Sequence, residues 1–476
     1  MLIGVPLRSS FLADRGDDQE MRDARRFVTS ARCDGQHCAP RAATLGGMSR
    51  AASPHRAPLW RDRAFGTYWI AQSLSAAGDA FAYLAVPLLV LQATGSVAQM
   101  GLLTAVAGAA SVLAGVFGGV LVDRYDRRTL MIVADLARLV LYALVPLAWL
   151  AGPQVWLLFV VLPICEAAGM LFQVAAVTAV RNLVDSDRLT EANGRLQATF
   201  AAAAVLGPLL AGVVSARFGP SVAIAVNAAS FALSAAGLRL IRLRPAQAAD
   251  AAPVTRQRPV AEFLAGARFL WRQPVLRALT VLLSVFIFLT YGFTDVLIYR
   301  VTHDLGGTEG TVGTVLGLAA LGTVAGALLV APLRRRRGFG ATWIGAHAVC
   351  GFAVAGVGLV TSVPAVTALT AVYLCCLSIG GICSMSLRQQ ITPDHLLGRV
   401  TSAFWSTHYA LGPAGAVILT WTAARYGVSA VALVAGAGCL LVAVGGLFTP
   451  IRRAGAEPAL RPPGLQPAPA GGTISG

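Results

Sequence analysis

The chain predicts an all-α membrane protein whose twelve transmembrane helices form two pseudo-symmetric six-helix halves, and three observations lead there. Apolar residues make up 56% of the 476 and charged ones only 13%, with a mean hydropathy of +0.68. That balance lies outside the range of soluble domains. The apolar residues fall into segments of about 20, the length that crosses about 30 Å of hydrocarbon as a helix. Finally, the second part of the chain repeats the first. Arg181, Asp187, Gly194-Arg195, Gly207-Pro208 and Ala216-Arg217-Phe218-Gly219 recur in order as Arg388, Asp394, Gly398-Arg399, Gly412-Pro413 and Ala424-Arg425-Tyr426-Gly427, which marks an internal duplication.

Taken in order, residues 1–58 mix Arg, Asp, Ser and Pro without an apolar period and read as a disordered extension. Their first twelve residues are too interrupted for the apolar stretch of a signal peptide. Met48 opens MSRAASPHRAPLWRDRAF, a short basic leader that reads as the true start. The first half, residues 59–242, carries spans at 65–93, 97–122, 129–150, 154–180, 194–216 and 220–242. A linker follows over 243–274, broken by Pro245, Pro253 and Pro259, and its part from Val260 to Arg272 has the pattern of an amphipathic helix on the inner membrane surface. The second half, 275–450, carries spans at 275–302, 310–333, 340–361, 364–387, 399–423 and 427–449. The tail, 451–476, is rich in Pro, Gly and Ala and reads as unstructured.

The formal net charge of +16 comes wholly from arginine, and a pI near 10.4 would suit nucleic acid if the arginines formed a face. They stand instead at span ends, where they act as orientation signals rather than as a phosphate-binding surface. With the N-terminus in the cytoplasm, twelve arginines fall in short inner loops, among them Arg124, Arg127, Arg128, Arg388 and the run 334–337, against Arg217, Arg300 and Arg425 outside. Both termini are therefore expected on the cytoplasmic side of the plasma membrane. Six of the eight cysteines lie within spans, so no disulfide is expected. Cys33, His37 and Cys38 lack a fourth ligand for a metal.

Asp79 stands about 14 residues, or roughly 21 Å, into the first span, and Glu166 about 12 residues, or roughly 18 Å, into the fourth. A carboxylate at that depth is costly when ionised, which suits a group that takes up and releases a proton; the plainer reading is a hydrogen-bonded packing residue. Asp135 and Arg138, at i and i+3 on the third span, can pair with each other. Trp405, His408 and Tyr409 cluster on the eleventh span, and Phe288, Tyr291 and Asp295 share helical spacing on the seventh. They form either an aromatic wall for a lipophilic or cationic substrate or ordinary core. Asp295, Arg300 and His303 approach the outer surface and read as ordinary interface residues or as an external gate, and His347 reads as a packing histidine.

Gly119 to Leu130 reads GVLVDRYDRRTL and resembles the loop signature of the major facilitator superfamily, G-x-L-a-D-R-x-G-R-R-x-x-L. Asp126 stands where that pattern has glycine, so an aspartate side-chain turn is expected instead. Gly207, Pro208 and Gly212, within GPLLAG, are similar to the antiporter motif G-P-x-x-G-G, with Ala211 replacing a glycine. With Gly78-Asp79, the Ala134-Asp135-x-x-Arg138 step and Leu397-Gly398-Arg399-Val400, the chain resembles the macrolide-efflux and enterobactin-exporter-like branch over residues 59–450.

The resemblance implies two parallel halves with a site between them, where Asp79 and Glu166 share one chamber with Tyr291, Trp405 and His408. It implies a cytoplasmic gate in which Gly119, Asp123, Arg124, Arg127 and Arg128 meet the eleventh span near Gly398 and Arg399, extended by Asp135 and Arg138. The implied activity is secondary active transport: proton-coupled efflux of a small hydrophobic drug or secondary metabolite. It would be no enzyme, would need no cofactor beyond the proton gradient, and would act as a monomer whose partners are its substrate and the bilayer, not nucleic acid. No phosphate-binding loop of the G-x4-G-K-[ST] type is present. The alternatives are a siderophore exporter and a non-transporting receptor or assembly factor on the same fold.

Overall fold

The computed structural model describes Leu59 and residues 62–180, 183–185, 188–241 and 259–453. The expectations for residues 1–58 (Met48 and the Cys33, His37, Cys38 group included), for Arg181 and Asp187, for the linker before Pro259 and for the tail after Arg453 lie outside the described residues.

Within them the fold is all-helical. The first six helices are α1 (Arg63–Thr94), α2 (Val97–Arg124), α3 (Arg127–Trp149), α4 (Val155–Ala179), α5 (Leu189–Phe218) and α6 (Pro220–Leu240). An amphipathic α7 (Pro259–Arg272) precedes α8 (Pro274–Thr290), α9 (Phe293–Tyr299), α10 (Glu309–Leu359), α11 (Val363–Ile391), α12 (Asp394–Tyr409), α13 (Gly412–Tyr426) and α14 (Val428–Leu447). Ten helical segments among the described residues are long and apolar enough to cross a membrane. Their outward faces carry large apolar side chains such as Leu147, Leu328, Phe352 and Leu441, each more than 60% exposed. Water would not tolerate that surface at this scale, whereas hydrocarbon does.

Local chemistry sets the ends. Asp62 caps α1 by accepting from the Ala64 and Phe65 amides at 2.9 and 3.3 Å, and Gly95, at φ 63, closes it with a left-handed turn. Asp126 caps α3, accepting from the Thr129 amide at 2.8 Å and its hydroxyl at 2.9 Å. Its φ of −60 and ψ of 122 need no glycine, so the departure from the loop signature is resolved as a side-chain N-cap. The repeated Ala-Arg-aromatic-Gly stretches adopt one turn twice: Gly219 has φ 87, ψ 155 and Gly427 has φ 83, ψ 157. Positive φ is why both end in glycine.

Four spans differ from the sequence expectation. The segments expected at 310–333 and 340–361 join in one run, α10, interrupted only by Gly338 at φ 75, ψ 174. The segment expected at 399–423 is split between α12 and α13 at Ala410 and Leu411, just before Pro413. The seventh bends at Tyr291 and Gly292 and ends in a π-helical turn, Arg300–Asp304. The bend brings Gly292 so near α13 that a Cβ there would lie 2.9 Å from the Ala416 Cα.

Two arginines that the charge pattern puts at span ends are buried there. Arg300 is only 8% exposed. It pairs with Asp304 at 2.8 Å and donates to the Val360 carbonyl at 3.0 Å, at the end of α10. Arg388, expected in an inner loop, stands in the last turn of α11 and is 1% exposed.

Candidate functional site

The centre of the site is an arginine holding two acids. Arg138 lies about 17 Å along α3 from its start, and its Nη2 donates to Asp135 Oδ1 at 2.5 Å while Nη1 stands 3.6 Å from Asp79 Oδ1 on α1. Aromatic rings take both sides of the guanidinium, with Phe231 of α6 at 4.0 Å and Phe172 of α4 at 4.9 Å. Arg138 and Asp135 are 4% and 0% exposed, while the Asp79 side chain is 49% exposed. A desolvated ion pair thus presents one half-open carboxylate. Glu166 of α4, also exposed, stands one turn before Gly169, where a Cβ would lie 3.6 Å from Arg138 Nη1. Three acids and one arginine therefore share one neighbourhood. The sequence grouped Asp135 and Arg138 with the cytoplasmic gate; the structure places them with Asp79.

Opposite stands an aromatic layer. Tyr291, at the bend after α8, meets Tyr409 edge-on at 6.3 Å. Gly108 of α2 and Gly412 of α13 make room for it: a Cβ on either would lie 2.5 Å from the Tyr291 hydroxyl or 2.8 Å from its ring. Trp405 stacks on Tyr409 at 5.4 Å and His408 on Phe404 at 5.3 Å. His408, expected on the wall itself, is only 6% exposed and packs as core.

The other sequence-chosen residues are scattered. Arg128 donates to the Leu238 and Arg239 carbonyls at 2.9 and 2.6 Å, neutralising the negative end of α6. Gly119, Asp123 and Arg124 lie on the last turns of α2, where only the backbone is described. Gly398 is exposed near the start of α12, and Arg399 presents its carbonyl to α7, where a Cβ on Gly266 would come within 2.3 Å of it. Arg127 is the first residue of α3. Gly207 abuts the Ala80 side chain on α1, and Gly212 meets Gly313 of α10 backbone to backbone. The antiporter-like segment is thus a helix-crossing site.

Comparison with known proteins settles the family. The chain matches the family described as Major Facilitator Superfamily over residues 68–417. The chain belongs to the Major Facilitator Superfamily. The multidrug efflux pump Tap of Mycolicibacterium fortuitum is 28% identical over 383 residues, covering 79% of this chain and 92% of that protein. The enterobactin exporter EntS of Escherichia coli O1:K1 / APEC is 26% identical over 391 residues, covering 80% and 90%. Among solved structures, the nucleoside transporter NupG superposes with a TM-score of 0.65 at 11% identity, covering 81% of this chain and 98% of that one. It shares the fold.

This superfamily transporter holds one residue the sequence reading missed. Arg388 of α11 lies with its guanidinium 3.7 Å over the Phe404 ring and 5.2 Å from Trp405. It donates to Ser384 Oγ at 3.1 Å and faces Met385 Sδ at 3.2 Å, and its Nε has no partner. Among the described residues no carboxylate pairs with it. Only its place near a span end was legible; the tertiary fold buries it behind the aromatic layer.

Proposed function

We propose that the protein is a proton-coupled exporter of a small lipophilic molecule, working by alternating access between two six-helix halves. Twelve spans follow if α10 is two spans joined at Gly338 and α12 with α13 is one broken span. The carrying observation is Arg138 bridging Asp79 and Asp135, with Glu166 on the neighbouring helix one turn from Gly169. A cation already neutralised by a buried acid leaves the open carboxylates Asp79 and Glu166 to exchange a proton or to hold a cationic substrate, never both at once. That competition couples the two. The names of the relatives Tap and EntS support the outward direction. Both termini would face the cytoplasm, the protein would sit in the plasma membrane as a monomer, and the proton gradient would be its only energy source.

The test is efflux of ethidium from proteoliposomes under an imposed pH gradient. Wild type should move it with the gradient and stop when a protonophore collapses it. Asp79→Asn and Glu166→Gln should fold and lose gradient dependence; wild-type transport indifferent to the protonophore overturns the coupling. A second reading, export of an anionic siderophore, is favoured by Arg388, a buried cation without an acid. Competition of ethidium efflux by a catecholate separates the two.

A further inference from the structure

The sequence scatters along the chain a set of arginines that the fold gathers between the Gly338 kink of α10 and the end of α14. Gly340 lies so close to the chain after α14 that a Cβ on it would stand 2.5 Å from the carbonyl oxygens of both Ile451 and Arg452. Phe339 and Ile451, 2% and 0% exposed, anchor the two segments in the core. Their neighbourhood is therefore a product of packing. Arg335, Arg336, Arg337, Arg452 and Arg453 are all exposed there, and none has an ion pair among the described residues. The segment Pro450–Arg453 also packs against α8. In turn, α8 packs against α7, which turns a stripe of Leu264, Arg268, Trp271 and Arg272 outward while Gly266 is held against the Arg399 carbonyl of α12.

An orientation signal needs arginines near span ends but does not need five of them gathered without ion pairs around one packing contact. Five like charges held together repel one another, and the repulsion is relieved by anions at the same level. A tryptophan and a leucine flanked by arginines suit the boundary between headgroup and acyl chain, where the available anion is a phosphodiester. Guanidinium groups pair with such oxygens in bidentate fashion. We propose that this rim binds anionic phospholipid headgroups and, through Gly266 and Arg399, steadies the start of α12. The proposal rests on the protein crossing a membrane and not on what it transports.

The experiment is hydrogen exchange of the full-length protein in nanodiscs of phosphatidylcholine alone or with roughly one quarter phosphatidylglycerol. Phosphatidylglycerol should slow exchange in 263–272, 334–341 and 448–453 by about tenfold, and about 0.5 M NaCl should remove most of the effect. Arg336→Gln with Arg452→Gln should weaken the protection of 334–341 and 448–453 in the same discs. Equal exchange in both lipids overturns the proposal, as does protection that survives both salt and substitution. Equal protection by inorganic phosphate in phosphatidylcholine discs would overturn the lipid assignment in favour of a soluble anion. The salt comparison uses wild type alone, so it decides even if the variant misfolds.

Discussion

Arg138 has two acid partners that do different work. Asp135 is fully buried and keeps the guanidinium charge-balanced, so removing the arginine strands an acid in a dry interior, at roughly 3–5 kcal/mol for a broken buried pair. Arg138→Met should therefore lower the melting temperature in detergent markedly, and Asp135→Asn should do nearly as much harm. Asp79 is half-exposed at a longer 3.6 Å, so Asp79→Asn should cost under about 1 kcal/mol while abolishing gradient-driven transport. A thermal melt beside a transport assay separates the two roles. Arg388 predicts the opposite pattern. Its charge meets rings and a hydroxyl but no acid, so Arg388→Met should hold or raise the melting temperature and impair transport. A large loss of stability in that variant would mean that its stacking on Phe404 outweighs its desolvation.

At the level of elements, glycines decide which helices can touch. The α5–α10 crossing brings Gly212 and Gly313 together, with the Pro208 carbonyl 2.4 Å from where a Gly313 Cβ would be. No side chain fits there without backbone movement, so Gly313→Val should cost at least about 1–3 kcal/mol by overpacking and should stop transport if the crossing slides during the cycle. Expression followed by size-exclusion chromatography and ethidium efflux reads both. Pro208 leaves the Ala204 carbonyl of α5 without its usual donor, which makes this the helix best prepared to bend. The Asp126 cap predicts a milder outcome: Asp126→Ala should lose about 1 kcal/mol at the start of α3, and Asp126→Asn should keep most of it.

For the whole molecule, residues 63–240 and 274–447 meet in a cluster of side-chain contacts around Gln92 and Glu309. Gln92 donates to Glu309 at 2.5 Å, Tyr83 and Thr294 share a hydrogen bond at 2.9 Å, and Gly101 admits Thr420. A cavity of about 260 Å³ lined by Gln92, Tyr299, His303 and Glu309 lies in the same cluster. If transport alternates access, this seal must open once per cycle. Cysteines placed at Gln92 and Glu309 and joined by a short bis-maleimide should arrest efflux, while the same pair left unlinked should transport. Undiminished efflux with complete cross-linking would mean that the seal does not open.

Composition, span length and the arginine bias determined by themselves that the chain is a helical membrane protein, because lipid imposes one rule on every backbone group it surrounds. The loop signature and the GP segment determined the family, and the repeated Ala-Arg-aromatic-Gly turns were legible because positive φ requires glycine. Sequence also found Asp79, Glu166, Asp135 and Arg138, since charge in an apolar span is rare enough to notice. Which of these meet was decided only by the tertiary structure. A pairing between α1 and α3 depends on helix rotation and packing partners that no single-helix pattern encodes. For the same reason Arg388 read as a loop charge until the fold laid it on Phe404, and His408 read as a wall residue until packing buried it.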